Sequence, residues 1–387
     1  MAVLRDVVEP KTGTRNPAIA PEDPFTYVDV SAIDNEEKVI VGARVLLGGQ
    51  APSRARKLIR KDDVLVSTVR PNLNAVAVVP AHLDGQVAST GFCVLRAKEC
   101  VIPEFLYFYV RSKAFVDGLC QLVAGAMYPA VTDSQVLDLP LPLPSLPEQH
   151  RIVDLLARAE GIVRLRREAQ QKAAELIPAI FIDMFGDPAT NPKGWSVRSL
   201  RDLLEMPLRN GISPARSGRH SASVLTLSAI TRGQFDESAV KSALFASPLA
   251  ESDEVRTSDF LICRGNGNKS MVGAGCFPNR DMRGVAFPDT VIALRPNRSL
   301  LAPHFLAGVW RTAFVRHQID AVAKTTNGTF KVNQTGIAGI RLVVPPMSEQ
   351  LRFGSSIQVI ESLSKQQADA LTKATATFDS LMSRAFA

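Results

Sequence analysis

This chain contains the same pattern twice. Pro147-Glu148-Gln149-His150-Arg151 opens a long helix-patterned stretch, and Ser348-Glu349-Gln350-Leu351-Arg352 opens another 201 positions after it. Without a gap, Arg151 falls on Arg352, Leu156 on Ile357, Ile162 on Leu363, Ile180 on Leu381 and Phe185 on Phe386. A period this long excludes a solenoid, whose repeats are far shorter. It describes a duplicated half, a globular segment followed by one long helix, and such a chain has an approximate internal two-fold.

The globular segments repeat less faithfully. Leu4-Arg5-Asp6-Val7-Val8 matches Leu200-Arg201-Asp202-Leu203-Leu204, the run Val28 to Ile33 matches Leu225 to Ile230, and Asp63-Val64-Leu65-Val66 matches Asp259-Phe260-Leu261-Ile262. Val94-Leu95-Arg96 matches Ala293-Leu294-Arg295, and Pro103 to Leu106 matches Pro303 to Leu306. The offset drifts from 196 to 201, which places small insertions in loops while the framework stays constant, because packed elements do not tolerate length change.

The first long helix is expected from about Leu146 to Met184, with Ile152, Leu156, Ile162, Leu176 and Ile180 on its apolar stripe. The second, from about Ser348 to Ala385, carries Phe353, Ile357, Leu363, Leu371, Phe378 and Leu381. Each spans roughly 55 Å at 1.5 Å per residue. Pro178 is expected to kink or loosen the last turns of the first. Matching stripes of equal length most simply bury each other side by side, parallel or antiparallel; the alternative is that each helix packs on its own globular segment.

Within residues 1–145, Val28 to Ile33, Val39 to Leu47, Val64 to Val69, Ala75 to Val79 and Phe92 to Leu95 read as strands between Gly, Pro and Asn punctuation. Pro103 to Val116 reads as one helix, mirrored by Pro303 to Val315. Pro140, Pro142, Pro144 and Pro147 make a stiff connector into the long helix.

Charge separates the halves. Residues 1–145 hold 15 basic and 16 acidic side chains, residues 186–346 hold 20 and 12, and the two helices are neutral. A basic module suits a polyanion, whose counterions Lys and Arg release. Arginine outnumbers lysine 31 to 14, which favours bidentate contacts to guanine or phosphate. No apolar run reaches the length of a membrane span, so no membrane role is expected and a cytoplasmic location is the default. The five cysteines show no C-x-x-C pair and read as core residues; the five histidines show no metal spacing.

Catalytic signatures are missing from the sequence. There is no G-x-x-x-x-G-K-[ST] and no G-x-S-x-G; Gly265-Asn266-Gly267-Asn268 is not a dinucleotide loop, and Asp23-Pro24-Phe25 lacks the second proline of an adenine amino-methyltransferase motif. The chain reads as non-catalytic. The competing readings are a self-contained restriction or methylation enzyme and a helical assembly protein with vestigial heads.

The segment Leu139-Pro140-Leu141-Pro142-Leu143-Pro144-Ser145-Leu146-Pro147-Glu148-Gln149, its weaker copy Leu342 to Gln350, Met184-Phe185-Gly186-Asp187-Pro188 followed by Gly194-Trp195, and Asp63 to Val66 leading into Arg70-Pro71-Asn72 together carry a resemblance. Over its whole length the chain resembles the specificity subunit of type I restriction-modification systems. The resemblance implies an α+β protein in which two mixed α/β target-recognition domains, residues 1–145 and 187–346, are joined by two long antiparallel helices, residues 146–186 and 347–387, that form a coiled-coil-like spacer with an internal pseudo-two-fold. It implies that the chain binds double-stranded DNA and no cofactor of its own. Two methyltransferase subunits using S-adenosylmethionine, and possible restriction or translocase subunits using ATP and magnesium, would do the chemistry.

Candidate base-reading loops in the first head hold Arg54, Arg56 and Lys57, then Arg70, Asn72 and Asn74, then Tyr128. In the second they hold Arg216, Arg219 and His220, then Arg264, Asn266, Asn268 and Lys269, then Asn327, Thr329, Phe330 and Lys331. Arg addresses guanine, Asn addresses adenine, and Tyr128 or Phe330 would stack or wedge. Turn formation and solvated charge are the competing explanation at each of these positions. Arg70 and Arg264 lie at different distances from Asp63 and Asp259, so the two heads are expected to read different sequences.

Overall fold

The computed structural model describes residues 2–123, 129–215, 217–326 and 328–386. They divide into two units, Met1–Glu168 with Ala368–Ala387, and Ala169–Gln367, so each long helix contributes to both. The first long helix occupies Leu146–Phe185 and the second Met347–Ala385. Pro178 lies inside the first without ending it.

Each helix starts from the same device. Gln149 and Gln350 are fully buried. The Gln149 side chain accepts from the Ile102 amide (3.0 Å) and donates to the carbonyls of Cys100 (3.1 Å) and Pro144 (3.0 Å). Gln350 accepts from the Ala302 amide (2.9 Å) and donates to the carbonyls of Leu300 (3.2 Å) and Pro345 (2.9 Å). One amide thus satisfies three backbone groups that have no ladder partner, and ties the first helical turn to the globular segment before it.

The two globular segments have the same strand order. In the first, a four-stranded sheet runs Arg44–Leu47, Pro24–Val28, Val87–Ser89, Ala55–Leu58; in the second it runs Val240–Phe245, His220–Leu225, Met282–Ala286, Glu254–Val255. The one parallel pair in each, Pro24–Val28 with Val87–Ser89 and His220–Leu225 with Met282–Ala286, occupies the same place. A second sheet runs Phe92–Leu95, Val64–Ser67, Val76–Val78, matched by Val291–Leu294, Phe260–Cys263, Gly275–Cys276 with Arg209–Asn210 added at its edge. Its central strands are buried on both faces, as their unbroken apolar runs require.

Some local readings are corrected. The run Val28 to Ile33 leaves its strand at Val28, and Asp29 caps a 3₁₀ turn over Val30–Ala32 by accepting from the Val30 amide at 2.8 Å. Pro103 to Val116 forms two helices, Pro103–Tyr109 and Lys113–Gln121, because Ser112 caps the second by accepting from the Phe115 amide (3.3 Å). Thr312 does the same between Pro303–Trp310 and Ala313–Val322. Cys93, Cys263 and Cys276 are buried as expected, whereas Cys100 and Cys120 are exposed.

The ends of the long helices complete the cores. In the first unit Phe386 lies against Phe105 (5.3 Å) and Tyr109 (5.7 Å), in a core that also holds Leu156, Met382 and, half-buried, Ile152, Phe378 and Leu381. In the second, Phe185 lies against Phe305 (5.0 Å) and Phe353 (5.4 Å), with Phe181, Ile357 and half-buried Ile180 around them. Within each unit the opening turns of one helix therefore share a core with the closing turns of the other, and the two run in opposite senses. Gly186, at φ +77°, ends the first helix; a Cβ there would stand 2.5 Å from Pro192. Lys193 Nζ then bonds the last free carbonyls of Asp183 and Met184, and Trp195 bonds that of Phe185.

Three residues expected on the buried stripe are not on it. Ile162, Leu176 and Leu363 are about half exposed (52%, 49% and 51%). The inward line follows Gln149, Leu156, Val163, Gln170 and Ile177 in one helix and Gln350, Ile357, Ser364, Leu371 and Phe378 in the other, every seventh residue. Each misplaced residue stands one position before that line, and one residue turns a helix by roughly 100°. The buried face is therefore turned away from Ile162, Leu176 and Leu363, while Ile152, Ile180, Phe181, Phe353 and Ile360 remain on it.

Replacing Gln149 or Gln350 by Ala leaves three buried or part-buried backbone groups unpaired and is expected to cost about 2–4 kcal/mol in denaturant unfolding. Replacing Ile162 or Leu363 by Ser in the isolated chain is expected to change stability by no more than about 0.5 kcal/mol. A larger loss at Ile162 or Leu363 contradicts their exposed placement.

Candidate nucleic-acid interface

The loops rise from a rigid base. Asp63, almost wholly buried, is gripped by Arg96 through two bonds (Nε to Oδ1 2.8 Å, Nη2 to Oδ2 2.7 Å) and accepts from the Arg60 amide (2.8 Å). Asp259, fully buried, is gripped by Arg295 in the same way (2.9 and 3.2 Å) and by Arg209 at 2.6 Å. The carboxylates hold both arginines above their ordinary range, chiefly by hydrogen bonding. The pair sits at the base of the strand Val64–Ser67 or Phe260–Cys263 in each second sheet, and the loops bearing Arg70 and Arg264 leave the far end of that strand.

In the second head the structure brings two separate candidate segments together. Gly265–Asn266 pairs antiparallel with Thr329–Lys331, which forms a hairpin with Lys324–Thr326. Arg264 and Asn266 therefore lie beside the strand Thr329–Lys331, and Asn268 and Lys269 follow in the next turn. The Asn268 carboxamide caps the turn Lys269–Met271 by accepting from Ser270 N (3.0 Å) and Ser270 Oγ (2.9 Å), and Asn266 accepts from the Asn268 amide (2.9 Å). Arg264 is half-buried and donates to the Asp289 carbonyl (3.2 Å). Lys269 and Lys331 are exposed and have no carboxylate partner among the described residues. Phe330 is half-buried against the core, so it is not a free stacking ring.

The corresponding contact in the first head identifies the true counterparts. Val131 N donates to Thr68 O and Val332 N to Arg264 O, both at 2.9 Å, so Arg264 stands where the first head has Thr68, and Asn266 stands where it has Arg70. Arg70, at φ +49°, is exposed and its amide donates to Pro129 O (2.8 Å). Asn72 is exposed, but Asn74 is engaged: its carbonyl accepts from Lys38 (2.6 Å) and its side chain donates to Arg111 O (3.4 Å). Arg54 is exposed, Arg56 bonds the Ala55 carbonyl (2.8 Å), and Lys57 pairs with Asp133, so of that basic run Arg54 is the free member. Arg219 and His220 line a shallow cavity of about 370 Å³ with Phe245, Pro248 and Gly284. Tyr128, Arg216 and Asn327 lie outside the described residues.

Sequence reasoning missed the ionic cluster behind the first head's loop. Arg111 lies over the rings of Tyr107 (4.5 Å), Phe108 (5.4 Å) and Phe378 (5.6 Å) and pairs with Glu160 on the first long helix at 2.5 Å. Glu37 pairs with Arg167, about two turns further along that helix. Burial, and then the charge of Arg111, pull Lys38 down to about 8. The one sequence signal was the shared Arg111 and Arg311 after the matched helices.

Residues 4–175 match the family model described as the type I restriction modification DNA specificity domain. The chain is similar to the HindI specificity subunit of Haemophilus influenzae, 25% identical over 228 residues that are 58% of this chain and 49% of that one. It is also similar to the EcoKI specificity subunit of Escherichia coli, 22% identical over 325 residues, 79% of this chain and 69% of that one. The chain thus spans between about half and 69% of the length of these two relatives. A solved chain described for the complex assembly and conformational transition of the type I R-M system is 30% identical with a TM-score of 0.65, over 100% of this chain and 96% of that one.

Changing Lys269 and Lys331 to Ala is expected to weaken DNA binding uniformly across sequences and to lower the slope of log K against log salt by about one for each lysine, read by fluorescence anisotropy. An unchanged slope removes this hairpin from the interface.

Proposed function

The chain belongs to the family of type I restriction-modification specificity subunits, and from that premise we propose that it is a non-catalytic reader of duplex DNA that directs partner subunits to one bipartite, asymmetric site. Each globular segment addresses one half-site. The observation that carries this reading is the pattern of likeness and difference between the segments. Strand order, the buried Asp–Arg grip and the Gln staple are duplicated, while the loops at the far end of the same strand differ in sequence, charge and hydrogen bonding. A scaffold kept constant under divergent loops suits two readers of different sequences held in a common frame.

On this reading the unread spacer is set by the two long helices. Two methyltransferase subunits dock beside them and transfer the methyl group of S-adenosylmethionine to adenine, and restriction subunits, where present, use ATP and magnesium in the cytoplasm. Exposed apolar side chains on both helices, Leu155, Ile162, Leu165 and Leu176 on one and Val359 and Leu363 on the other, support a protein partner there.

Sequencing of modified adenines in the native host, with and without this gene, is expected to show methylation lost at one bipartite motif; an unchanged pattern overturns the proposal. Insertion of four residues, about one turn, into both long helices is expected to lengthen the preferred spacer and leave both half-sites unaltered. An unaltered spacer rejects the helices as the ruler.

A further inference from the structure

The internal duplication allows one half of the chain to serve as the reference for the other, and at one place the two halves differ in chemistry. Arg111 and Arg311 are counterparts after the matched helices Pro103–Tyr109 and Pro303–Trp310. Arg111 has a carboxylate, Glu160, and an aromatic shelf of Tyr107, Phe108 and Phe378. At the counterpart positions of Tyr107 and Phe108 the second half has Ala307 and Gly308, and Phe181 and Phe353 crowd so closely on Gly308 that a Cβ there would stand 2.9 Å from the Phe353 ring. The core that closes this unit therefore excludes the shelf.

The neighbouring loop has lost carboxylates beside the arginine, although Asp236 and Glu237 follow it. Asp34-Asn35-Glu36-Glu37-Lys38 of the first half corresponds to Thr231-Arg232-Gly233-Gln234-Phe235, so three carboxylates are gone and an arginine is gained. Glu37, which pairs with Arg167, becomes Gln234, and Arg167 becomes Ala368. Arg311 instead donates to the Gly233 carbonyl, and it lines with Arg232, Gln234, Phe235 and Asp236 an open cavity of about 490 Å³. Asp236 is occupied by Ser238, accepting from its amide at 3.0 Å and from its hydroxyl at 2.6 Å. Neither Arg232 nor Arg311 has a carboxylate within ion-pair distance among the described residues. Glu361, the counterpart of Glu160, is exposed on the second long helix, between Val359 and Leu363, which are themselves exposed.

We propose that the cavity between Arg232 and Arg311 receives a carboxylate side chain of the methyltransferase subunit docked on this half, in the place that Glu160 fills from within the chain in the first half. Two guanidinium groups in one concavity match a carboxylate in charge and in the planar geometry of its bonds. The exposed apolar residues beside Glu361 favour a protein surface over a phosphate backbone as the source of the anion. The two docking sites are then unequal: the first is ionically closed by its own glutamate, and the second is completed by its partner. This rests on the methyltransferase partnership proposed above.

The test is a titration of the full chain with its methyltransferase subunit, followed by mass photometry. The wild type is expected to take up two copies in separable steps. With Arg232→Ala and Arg311→Ala combined, one step is expected to weaken about tenfold or more, with the other unchanged, and the Lys replacements at both sites are expected to recover part of the loss. Hydrogen exchange in residues 228–238 is expected to slow on binding in the wild type only. Two unchanged steps in the Ala variant overturn the inference, as does a variant that keeps both steps and loses DNA affinity, which would make DNA phosphate the anion. If the wild type binds no methyltransferase at all, the functional reading itself fails.

Discussion

The structure depends on a side-chain amide placed at the start of each long helix. The connectors into the helices are rich in proline, and their strand pairing ends at Leu141 and Val344, several residues before the helices are under way. Beyond that ladder Gln149 and Gln350 make three bonds each, to the loop before the matched helix and to a carbonyl of the connector. Each helix therefore begins with its first turn fixed to the core beside it.

Two further repeated features make the frame rigid. The bidentate Asp–Arg pairs hold the bases of the strands from which the candidate loops rise, and the aromatic clusters around Phe386 and Phe185 close each unit with the end of a long helix. A buried carboxylate that lost its arginine would be left as an uncompensated charge, so this pairing is hard to change in either half alone. The loops at the other end of the strand carry no such obligation. Their freedom explains why Arg264 occupies the place of Thr68.

Much of the frame was legible because periodicity and duplication are properties of neighbouring residues and of simple counting. The 201-residue offset located both helices, and the matched Asp63/Asp259 and Arg96/Arg295 lay in segments that aligned before any contact was known. The errors have a common physical cause. Ile162, Leu176 and Leu363 fitted an apolar stripe, but they stand at its margin, where a turn of one residue moves a side chain into solvent. Lys57 read as a free cation until the fold placed Asp133 beside it, and Phe330 read as a free ring until the hairpin laid it on the core.

The sequence by itself determined that the chain is two copies of one plan, where each long helix begins, and that charge is concentrated in the second globular segment. Those features are written in spacing and composition, which survive without knowledge of what touches what. Only the tertiary structure decided that the Arg264 and Lys331 segments meet across one short sheet, that Arg264 answers to Thr68, and that Arg111 finds a glutamate where Arg311 finds an open cavity. Each of these depends on pairing between residues dozens of positions apart, and that pairing is set by how the sheets and helices close on one another.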